Sequence, residues 1–301
     1  MTAIVLVHGA FHGAWSWDLV REGLEAEGVP SVAVELPFTG LADDADAVRR
    51  AIDLVAADAP VVVCGHSYGG RVISRAASGH PAVGALVYLA AVLNEDSFHD
   101  TGDRAAEAAA DPSSLMAVVR TDELGRSFVD DDATDHLFHD VDARAAAEAR
   151  ARLRPMAVGP MAPSGATAVP AAWHDVDTTF VVCDDDRSIP PAVQRVMARN
   201  ADHVRELPTG HSPMLSNPDL VVDVLLDVVD SIPALPPPRN MADTQDRTQR
   251  ERSEVPDDLP DGGPGGWADL PIDRNIPDPD ALGLIPQTPV PDDDGDADAH
   301  R

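Results

Sequence analysis

The feature that most constrains this chain is the stretch from residue 61 to residue 70, which reads VVVCGHSYGG. A run of β-branched residues, typical of a buried strand, leads into a G-x-S-x-G pattern centred on Ser67, and a helix-compatible segment follows over residues 71–77. The glycines on either side let strand and helix approach without Cβ clashes, so this order predicts a sharp turn that exposes the serine hydroxyl. We therefore predict that Ser67 is a nucleophile at a helix N-terminus. The alternative is a tight glycine turn with an incidental serine.

Strand-like and helix-like segments alternate along most of the chain. The predicted strands cover residues 3–7, 31–35, 61–64, 84–89, 178–183 and 203–207, and the predicted helices cover 15–27, 41–57, 71–77, 192–200 and 217–230. This alternation predicts an α/β fold with a mostly parallel sheet of about six strands flanked by helices. Ligands of such sheets bind at the carboxyl ends of the strands, where the turn at Ser67 is expected.

Two changes of pattern divide the chain. The alternation stops at residue 94 and resumes at 175, and the residues between are alanine-rich helical stretches interrupted by prolines. We predict that residues 1–93 and 175–232 form the core, and that 94–174 form a helical cap inserted after the fourth strand. Apolar periodicity ends after residue 232. Residues 233–301 are predicted to be a disordered acidic, proline-rich tail, for which a solvating role is favoured over partner binding.

Charge and cysteine content exclude several classes of partner. The formal net charge is -30 and the 22 basic residues are all arginine, and so acidic a surface repels phosphate backbones and anionic lipids. We therefore predict no nucleic-acid partner and no membrane association. Cys64 and Cys183 end predicted strands about 10 Å apart, which is too far for a disulfide. Buried free thiols, with neither a signal sequence nor a membrane span recognised, predict a cytoplasmic location.

A serine hydroxyl is a poor nucleophile at neutral pH, so it needs a histidine to take its proton and a carboxylate to orient that histidine. In this topology the order along the chain is serine, acid, histidine. His211 follows the last predicted strand in a glycine-containing loop, and we predict that it is the base. Asp186 follows the preceding strand and is the favoured acid, with Asp185 as its main competitor and Asp96 as a weaker one.

The anion that forms when an acyl carbonyl is attacked needs two preorganised N–H donors. The residue after the nucleophile supplies one through the amide of Tyr68, and the loop after the first strand supplies the other, which we assign to Ala10. Phe11 and His12 lie in the same loop and are candidates for lining the substrate pocket.

A second group of polar side chains, in the predicted cap, raises the question of a metal. His136 and His139 share a helix face, with Asp135 and Asp140 beside them. In so acidic a chain this proximity is better explained by chance, so we predict no metal and no cofactor.

Several motifs together resemble the α/β-hydrolase fold, and within it the small esterase and hydroxynitrile lyase group that includes plant methylesterases and bacterial pyrethroid-type carboxylesterases. The resemblance spans residues 4 to about 229 and rests on VLVHGAFHGAWSW (5–17), GHSYGG (65–70), VYLAAVL (87–93), LFHDVD through LRP (137–155), VVCDDDRSIPPAVQR (181–195) and GHSPMLSNPD (210–219). It implies the same site residues: a catalytic triad of Ser67, Asp186 and His211, and oxyanion donors at Ala10 and Tyr68.

The resemblance also separates two chemistries. Lyase members carry threonine directly after the first-loop histidine and lysine directly after the base histidine, and these positions are Gly9 and Ser212 here. Without that lysine a leaving cyanide has no counterion, so ester hydrolysis is favoured over C–C cleavage.

The resemblance implies a cofactor-independent serine hydrolase that cleaves carboxylic esters of small molecules through an acyl-enzyme. One alternative is hydroxynitrile lyase-like or other non-ester activity on the same fold. Another is a non-catalytic ligand-binding or interaction protein. A homodimer and a partner for the tail are left open.

Overall fold

The computed structural model of the protein describes residues 1–56, 59–93, 115–130, 134–157 and 170–232, and it contains eight strands in these ranges. In chain order they are β1 (Ala3–Val7), β2 (Ser31–Val34), β3 (Val61–His66), β4 (Val83–Leu89), β5 (Val119–Thr121), β6 (Ser127–Val129), β7 (Thr178–Cys183) and β8 (His203–Leu207). Six of them form one parallel sheet in the order β2-β1-β3-β4-β7-β8. The predicted α/β class and its parallel sheet are therefore confirmed.

The helices lie close to their predicted positions. Within the same ranges they are α1 (Asp18–Ala26), α2 (Leu41–Val55), α3 (Gly69–Ala76), α4 (Leu115–Val118), α5 (Thr134–Phe138), α6 (Ala143–Ala151), α7 (Pro191–Met197), α8 (Pro213–Ser216) and α9 (Pro218–Ser231). The last three begin with a proline, which lacks only an N–H that the first helical turn does not use. A 3-10 turn precedes α1 at Ala14–Trp17 and another follows α7 at Ala198–Asn200, where longer α-helices were predicted.

Alternate residues of the strands build a separate apolar layer on each face of the sheet. In β1, Val5 and Val7 join a cluster that includes Ile52 of α2, whereas Ile4 and Leu6 join a second cluster. The second cluster also contains residues of α1 and α9, among them Leu24 and Leu225. Every residue of β1, β3 and β7 is buried, as expected for interior strands covered on both faces. Packing on both faces holds the strands, and therefore the loops at their carboxyl ends, in fixed positions.

The two cysteines are free and buried, as predicted. Cys64 lies on β3 and Cys183 on β7, with β4 between them. Burial raises the pKa of the Cys64 thiol above its ordinary range and raises that of Cys183 to about 12. Both thiols therefore stay protonated at neutral pH, which makes them poor nucleophiles.

The described parts of the predicted cap contain α4, α5 and α6 and also a short antiparallel hairpin, β5–β6, that the sequence analysis did not anticipate. The apolar cluster of the cap includes Leu137, Phe138 and Ala149. Two backbone hydrogen bonds tie the cap to the core: the Arg154 N–H donates to the Phe11 carbonyl at 2.7 Å and the Ala157 N–H donates to the Phe38 carbonyl at 2.9 Å. The cap therefore contacts the loops after β1 and β2 directly.

Residues 94–114, 158–169 and 233–301 lie outside the described residues. The exact limits of the predicted cap and the predicted tail thus stay predictions. In the ranges that are described, no helix is long and apolar enough to cross a membrane.

Candidate active site

The turn between β3 and α3 holds Ser67 in a strained conformation. Its φ of 52° lies in the left-handed region, which residues with a Cβ rarely adopt. The turn is tight enough that a Cβ on Gly65 would come within 2.6 Å of the Gly69 carbonyl oxygen, so only glycine fits there. The Ser67 N–H donates to the Leu89 carbonyl at 3.2 Å, which fixes the turn to the end of β4. Ser67 is partly exposed, whereas its neighbours His66 and Tyr68 are buried.

The loops after β7 and β8 bring a carboxylate and an imidazole together. His211 Nδ1 lies 2.7 Å from Asp186 Oδ2, and both side chains are almost completely buried. Since an ionised carboxylate only accepts hydrogen bonds, the proton belongs on Nδ1 and the Nε2 of neutral His211 carries a free lone pair. An imidazole held in this tautomer can accept a proton from a hydroxyl.

The rival acids have other partners. Asp184 forms an ion pair with Arg195 on α7, and Asp185 accepts a hydrogen bond from His139 of the cap at 3.1 Å. Asp96 lies outside the described residues. Among the three consecutive aspartates, the structure therefore pairs only Asp186 with His211.

His66 connects the nucleophile turn to the base loop. Its Nε2–H donates to the backbone carbonyl of His211 at 2.8 Å, and the centroids of the two imidazole rings are 4.7 Å apart. Among the hydrogen bonds of the described residues, none joins the Ser67 hydroxyl to His211 directly. A nucleophile–base hydrogen bond is often long in a ligand-free enzyme and shortens when substrate binds.

The loop after β1 lies against the nucleophile. A Cβ on Gly9 would be 2.9 Å from the Ser67 Cβ and 2.8 Å from His66 Nδ1. Ala10 follows directly and is buried. In the described part of the chain, the backbone N–H groups of Ala10 and Tyr68 donate no hydrogen bond. Both N–H groups belong to buried residues and are free to donate to a ligand, which is what an oxyanion would require.

The two predicted pocket residues are both buried but differ in their surroundings. Phe11 has a φ of 66°, and its ring is part of the apolar cluster around α2 and α3. His12 stacks on Trp15 and meets the rings of His66 and Phe138 edge-on, the latter from the cap. His12 therefore lies where the first loop, the nucleophile turn and the cap meet.

Burial keeps the other histidines of the site neutral. His8 Nδ1–H donates to the Gly9 carbonyl and His8 Nε2 accepts from the Leu36 N–H, so both ring nitrogens are paired. His12 Nδ1–H donates to the Ala10 carbonyl at 2.8 Å. Burial lowers the pKa of His8 to about 3 and that of His12 to about 4, and it lowers the pKa of His66 well below its ordinary value.

A buried carboxylate anchors the side chain of Tyr68. The Tyr68 hydroxyl donates to Asp44 Oδ2 at 2.7 Å, and the Phe38 N–H donates to Asp44 Oδ1 at 2.8 Å. Burial raises the pKa of both Asp44 and Tyr68. Sequence reasoning missed this pair, because its two members are brought together only when α2 packs beside α3. An acidic residue in the first turn of a helix gave no signal beyond its favourable position.

Three of the cap residues considered as metal ligands, His136, His139 and Asp140, instead contact the loops after β7 and β8. The His136 Nδ1–H donates to the Arg187 carbonyl at 3.0 Å, and the Ser188 hydroxyl donates to the His136 carbonyl at 2.7 Å. The Gly210 N–H donates to Asp140 Oδ2 at 2.7 Å. No cluster of side chains able to hold a metal ion occurs in the ranges that the structure describes.

Arg154 fastens the cap to the first loop. Its guanidinium donates to the carbonyls of His12 and Leu36, forms an ion pair with Glu35 and lies 4.9 Å above the Phe38 ring. Sequence reasoning gave it no role, although it stands in the LRP motif on which the resemblance partly rests.

Sequence comparison identifies relatives over most of the chain. A family model described as the alpha/beta hydrolase family matches residues 4–224. The alpha/beta hydrolase nvfD of Aspergillus novofumigatus is 29% identical over 245 residues, which cover 74% of this chain and 94% of that protein. Norfluorocurarine synthase 2 of Strychnos sp is 26% identical over 260 residues, covering 76% and 95%. Methylesterase 3 of Arabidopsis thaliana is 25% identical over 258 residues, covering 75% and 95%.

Solved structures show the same fold at lower identity. Polyneuridine aldehyde esterase superposes with a TM-score of 0.68 at 22% identity, covering 76% of this chain and 99% of the other. A pyrethroid hydrolase from Sphingobium faniae JZ-2 gives 0.59 at 23% identity, covering 77% and 98%.

Proposed function

This chain belongs to the alpha/beta hydrolase family, and from that premise we propose that it hydrolyses carboxylic esters of small molecules through an acyl-enzyme formed on Ser67. The observation that carries the proposal is the 2.7 Å contact between His211 Nδ1 and Asp186 Oδ2. This contact leaves Nε2 of His211 free to act as a base. His66, the neighbour of Ser67, contacts the same loop by donating to the His211 carbonyl. The strained turn at Ser67 completes the pattern.

The proposed reaction uses only side chains and amides of this chain. Ser67 Oγ attacks the ester carbonyl while His211 Nε2 takes the hydroxyl proton, and Asp186 stabilises the imidazolium that forms. The N–H groups of Ala10 and Tyr68 donate to the tetrahedral oxyanion. The intermediate collapses and His211 returns the proton to the departing alcohol. A water molecule, deprotonated by His211, then attacks the acyl-enzyme; the bond to Ser67 Oγ breaks, His211 returns the proton to Ser67 Oγ, and the carboxylic acid is released.

The first loop supports hydrolysis over cyanohydrin cleavage. Gly9 has no space for a Cβ, because the ring of His66 and the Cβ of Ser67 would lie within 3 Å of it, so the threonine of the resembling lyases does not fit without displacing them. Ser212 follows the base and is fully buried, and it brings no positive charge for a departing anion. The named activities of the methylesterase, the aldehyde esterase and the pyrethroid hydrolase belong to those proteins. They support the ester class without selecting a substrate.

The proposal needs no metal or cofactor, because nucleophile, base and oxyanion donors are all residues of this chain. It includes a reducing, cytoplasmic environment, which the free thiols of Cys64 and Cys183 support. A small ester is the proposed partner, and a homodimer stays open.

A fluorophosphonate probe tests the proposal directly, because it labels only a serine that is activated as a nucleophile. We expect the full chain to be labelled and to hydrolyse p-nitrophenyl acetate, and Ser67→Ala to do neither. Ser216→Ala, at the partly buried end of α8, is the matched control and should behave like the wild type. Release of cyanide from mandelonitrile without ester turnover would support the lyase alternative. Absence of both labelling and turnover in the wild type would support a non-catalytic protein.

A further inference from the structure

The carboxylate of Asp186 accepts four hydrogen bonds. One of the four donors, Gln194, belongs neither to the loop of Asp186 nor to the proposed triad. Oδ1 accepts from the N–H groups of Ser188 and Ile189 at 2.7 and 2.9 Å. Oδ2 accepts from His211 Nδ1 and also from Gln194 Nε2, each at 2.7 Å. The amide of Gln194 therefore shares one carboxylate oxygen with the proposed base.

All three contacts of the Gln194 side chain fix its orientation. Its Nε2 also donates to the Ile189 carbonyl at 2.7 Å, and its Oε1 accepts from the Cys183 N–H at 3.0 Å. Turning the amide over would place its oxygen against a carboxylate and a carbonyl, so only one orientation satisfies every partner. Gln194 is fully buried. One side chain of α7 thus joins the end of β7 to both sides of the acid loop.

The position of this amide has a consequence for the pair of Asp186 and His211. Hydrogen bonds to an ionised carboxylate are strong and directional, and a buried carboxylate without enough donors would rotate or lose its charge. With Oδ1 held by two backbone amides and Oδ2 held by Gln194, Asp186 has one arrangement in which it can accept the hydrogen bond from His211 Nδ1–H. The carboxylate in turn orients the His211 imidazole through this hydrogen bond.

We propose that Gln194 is a positioning residue: its amide donates to Asp186 Oδ2 and so holds the carboxylate in the orientation that fixes the tautomer and direction of His211. Gln194 does not enter the reaction itself. The catalytic part of this proposal rests on the proposed function, whereas the structural part concerns the Asp186–His211 pair whatever the reaction.

The first test replaces Gln194 by methionine, which preserves the length of the side chain and removes the amide. We expect kcat for p-nitrophenyl acetate to fall by roughly 10- to 100-fold, the usual effect of removing a hydrogen bond to a charged group. KM should stay within about twofold, since Gln194 is placed to contact the acid and not the ester. Val193→Ala, at the exposed neighbouring position of α7, is the matched control and should keep the wild-type kcat. Wild-type kcat in a folded Gln194→Met would overturn the proposal.

A double-mutant cycle separates positioning from a purely structural contribution. In the Asp186→Asn background Gln194 has no carboxylate to orient, so adding Gln194→Met should change residual activity by less than about twofold. A structural role would reduce activity by the same factor in both backgrounds, which would overturn the proposal. Gln194→Glu serves if the methionine variant does not fold. It keeps the acceptor for the Cys183 N–H but puts a carboxyl oxygen in place of the donor, and at pH 8 it should lose at least as much activity.

A measurement without turnover distinguishes failure of this inference from failure of the proposed function. The proton on His211 Nδ1 is shielded from solvent and hydrogen-bonded to a carboxylate, so it should give a downfield ¹H NMR resonance that disappears in His211→Ala. We expect Gln194→Met or Gln194→Glu to shift or broaden this resonance, and Val193→Ala to leave it unchanged. An unchanged resonance in both Gln194 variants would overturn the inference even if esters are hydrolysed. If the resonance shifts in the Gln194 variants but the wild-type chain hydrolyses no ester, the proposed function is wrong and the inference on Gln194 stands.

Discussion

Three neutral histidines lie beside the nucleophile turn, and two of them, His12 and His66, are also close to the residue that is proposed to act as the base. His8, His12 and His66 are buried beside the nucleophile turn, and burial pushes the pKa of each below its ordinary value. A charged imidazole close to His211 would oppose its protonation during the reaction. Keeping these rings neutral therefore favours the proton transfer proposed for His211, and it makes the folded state sensitive to acid.

Stability should fall on mild acidification. In the unfolded chain these histidines titrate near pH 6.5, but in the folded chain His8 and His12 stay neutral until about pH 3 and about pH 4. Between these values the unfolded state binds more protons, so stability is fully present above pH 6.5 and decreases below it. His8 and His12 should each cost about 1.3 kcal/mol at pH 5.5 relative to pH 7, and His66 should act in the same direction.

Urea unfolding measured between pH 5 and pH 8 tests this prediction. His12→Phe should make the free energy of unfolding less dependent on pH by about 1.4 kcal/mol per pH unit below pH 6. His203→Asn, which removes a half-exposed histidine from β8, should leave the dependence close to that of the wild type. A free energy of unfolding that is constant from pH 8 to pH 5 would contradict the assignment of neutral buried imidazoles.

At the scale of elements, the cap contacts both loops that carry the proposed acid and the proposed base. The segment from His136 to Asp140 contacts the acid loop at Arg187 and Ser188, and it contacts the base loop at Gly210. These loops follow adjacent strands, β7 and β8, and the cap bridges them. Displacing this segment should therefore change the distance between acid and base as well as access to the site.

Asp140 gives the sharpest test of this coupling. Asp140→Ala removes the acceptor for the buried Gly210 N–H, so the base loop should become less ordered and kcat should fall roughly tenfold. Asp135→Ala changes an exposed neighbouring residue of the cap that, within the described residues, makes no hydrogen bond to either loop. It should retain at least half the wild-type kcat, and both variants are compared by steady-state kinetics and thermal unfolding. Equal kcat in the two variants would show that the cap does not order the base loop.

How far sequence predicts each element depends on the range of the interactions that determine it. The strands around Ser67 were predictable because buried β-branched runs and a glycine turn are local signals. The order of the strands predicted an acid loop beside a base loop, but it left Asp185 as a competitor of Asp186, and only the folded loop pairs Asp186 with His211. The hairpin of β5 and β6 was missed, since each strand has only three residues and no apolar alternation. Gln194 was missed as well, because a glutamine on a helix acquires a role only when the acid loop folds against it.

At the scale of the whole molecule, every residue assigned to the site lies within residues 1–232, and the family match ends at residue 224. The last described helix, α9, packs its apolar residues Leu225 and Val228 with those of α1 and the sheet, which completes the second apolar cluster. The two apolar clusters that position the site are therefore formed by residues 1–232. The chain beyond it adds acidic residues and prolines but no residue used in the proposed reaction.

Truncation after Ile232 is accordingly expected to preserve activity. A chain of residues 1–232 should fold cooperatively and hydrolyse p-nitrophenyl acetate with kcat/KM within about twofold of the full chain, because both apolar clusters and all proposed site residues are retained. A neutral ester is the appropriate substrate, since removing acidic residues also weakens the negative field that an anionic ester would meet. Truncation after residue 217 is the contrasting variant: it removes α9, uncovers Leu24 and the strands beneath it, and should not fold. Loss of cooperative unfolding in the longer chain would show that residues beyond 232 contribute to the core.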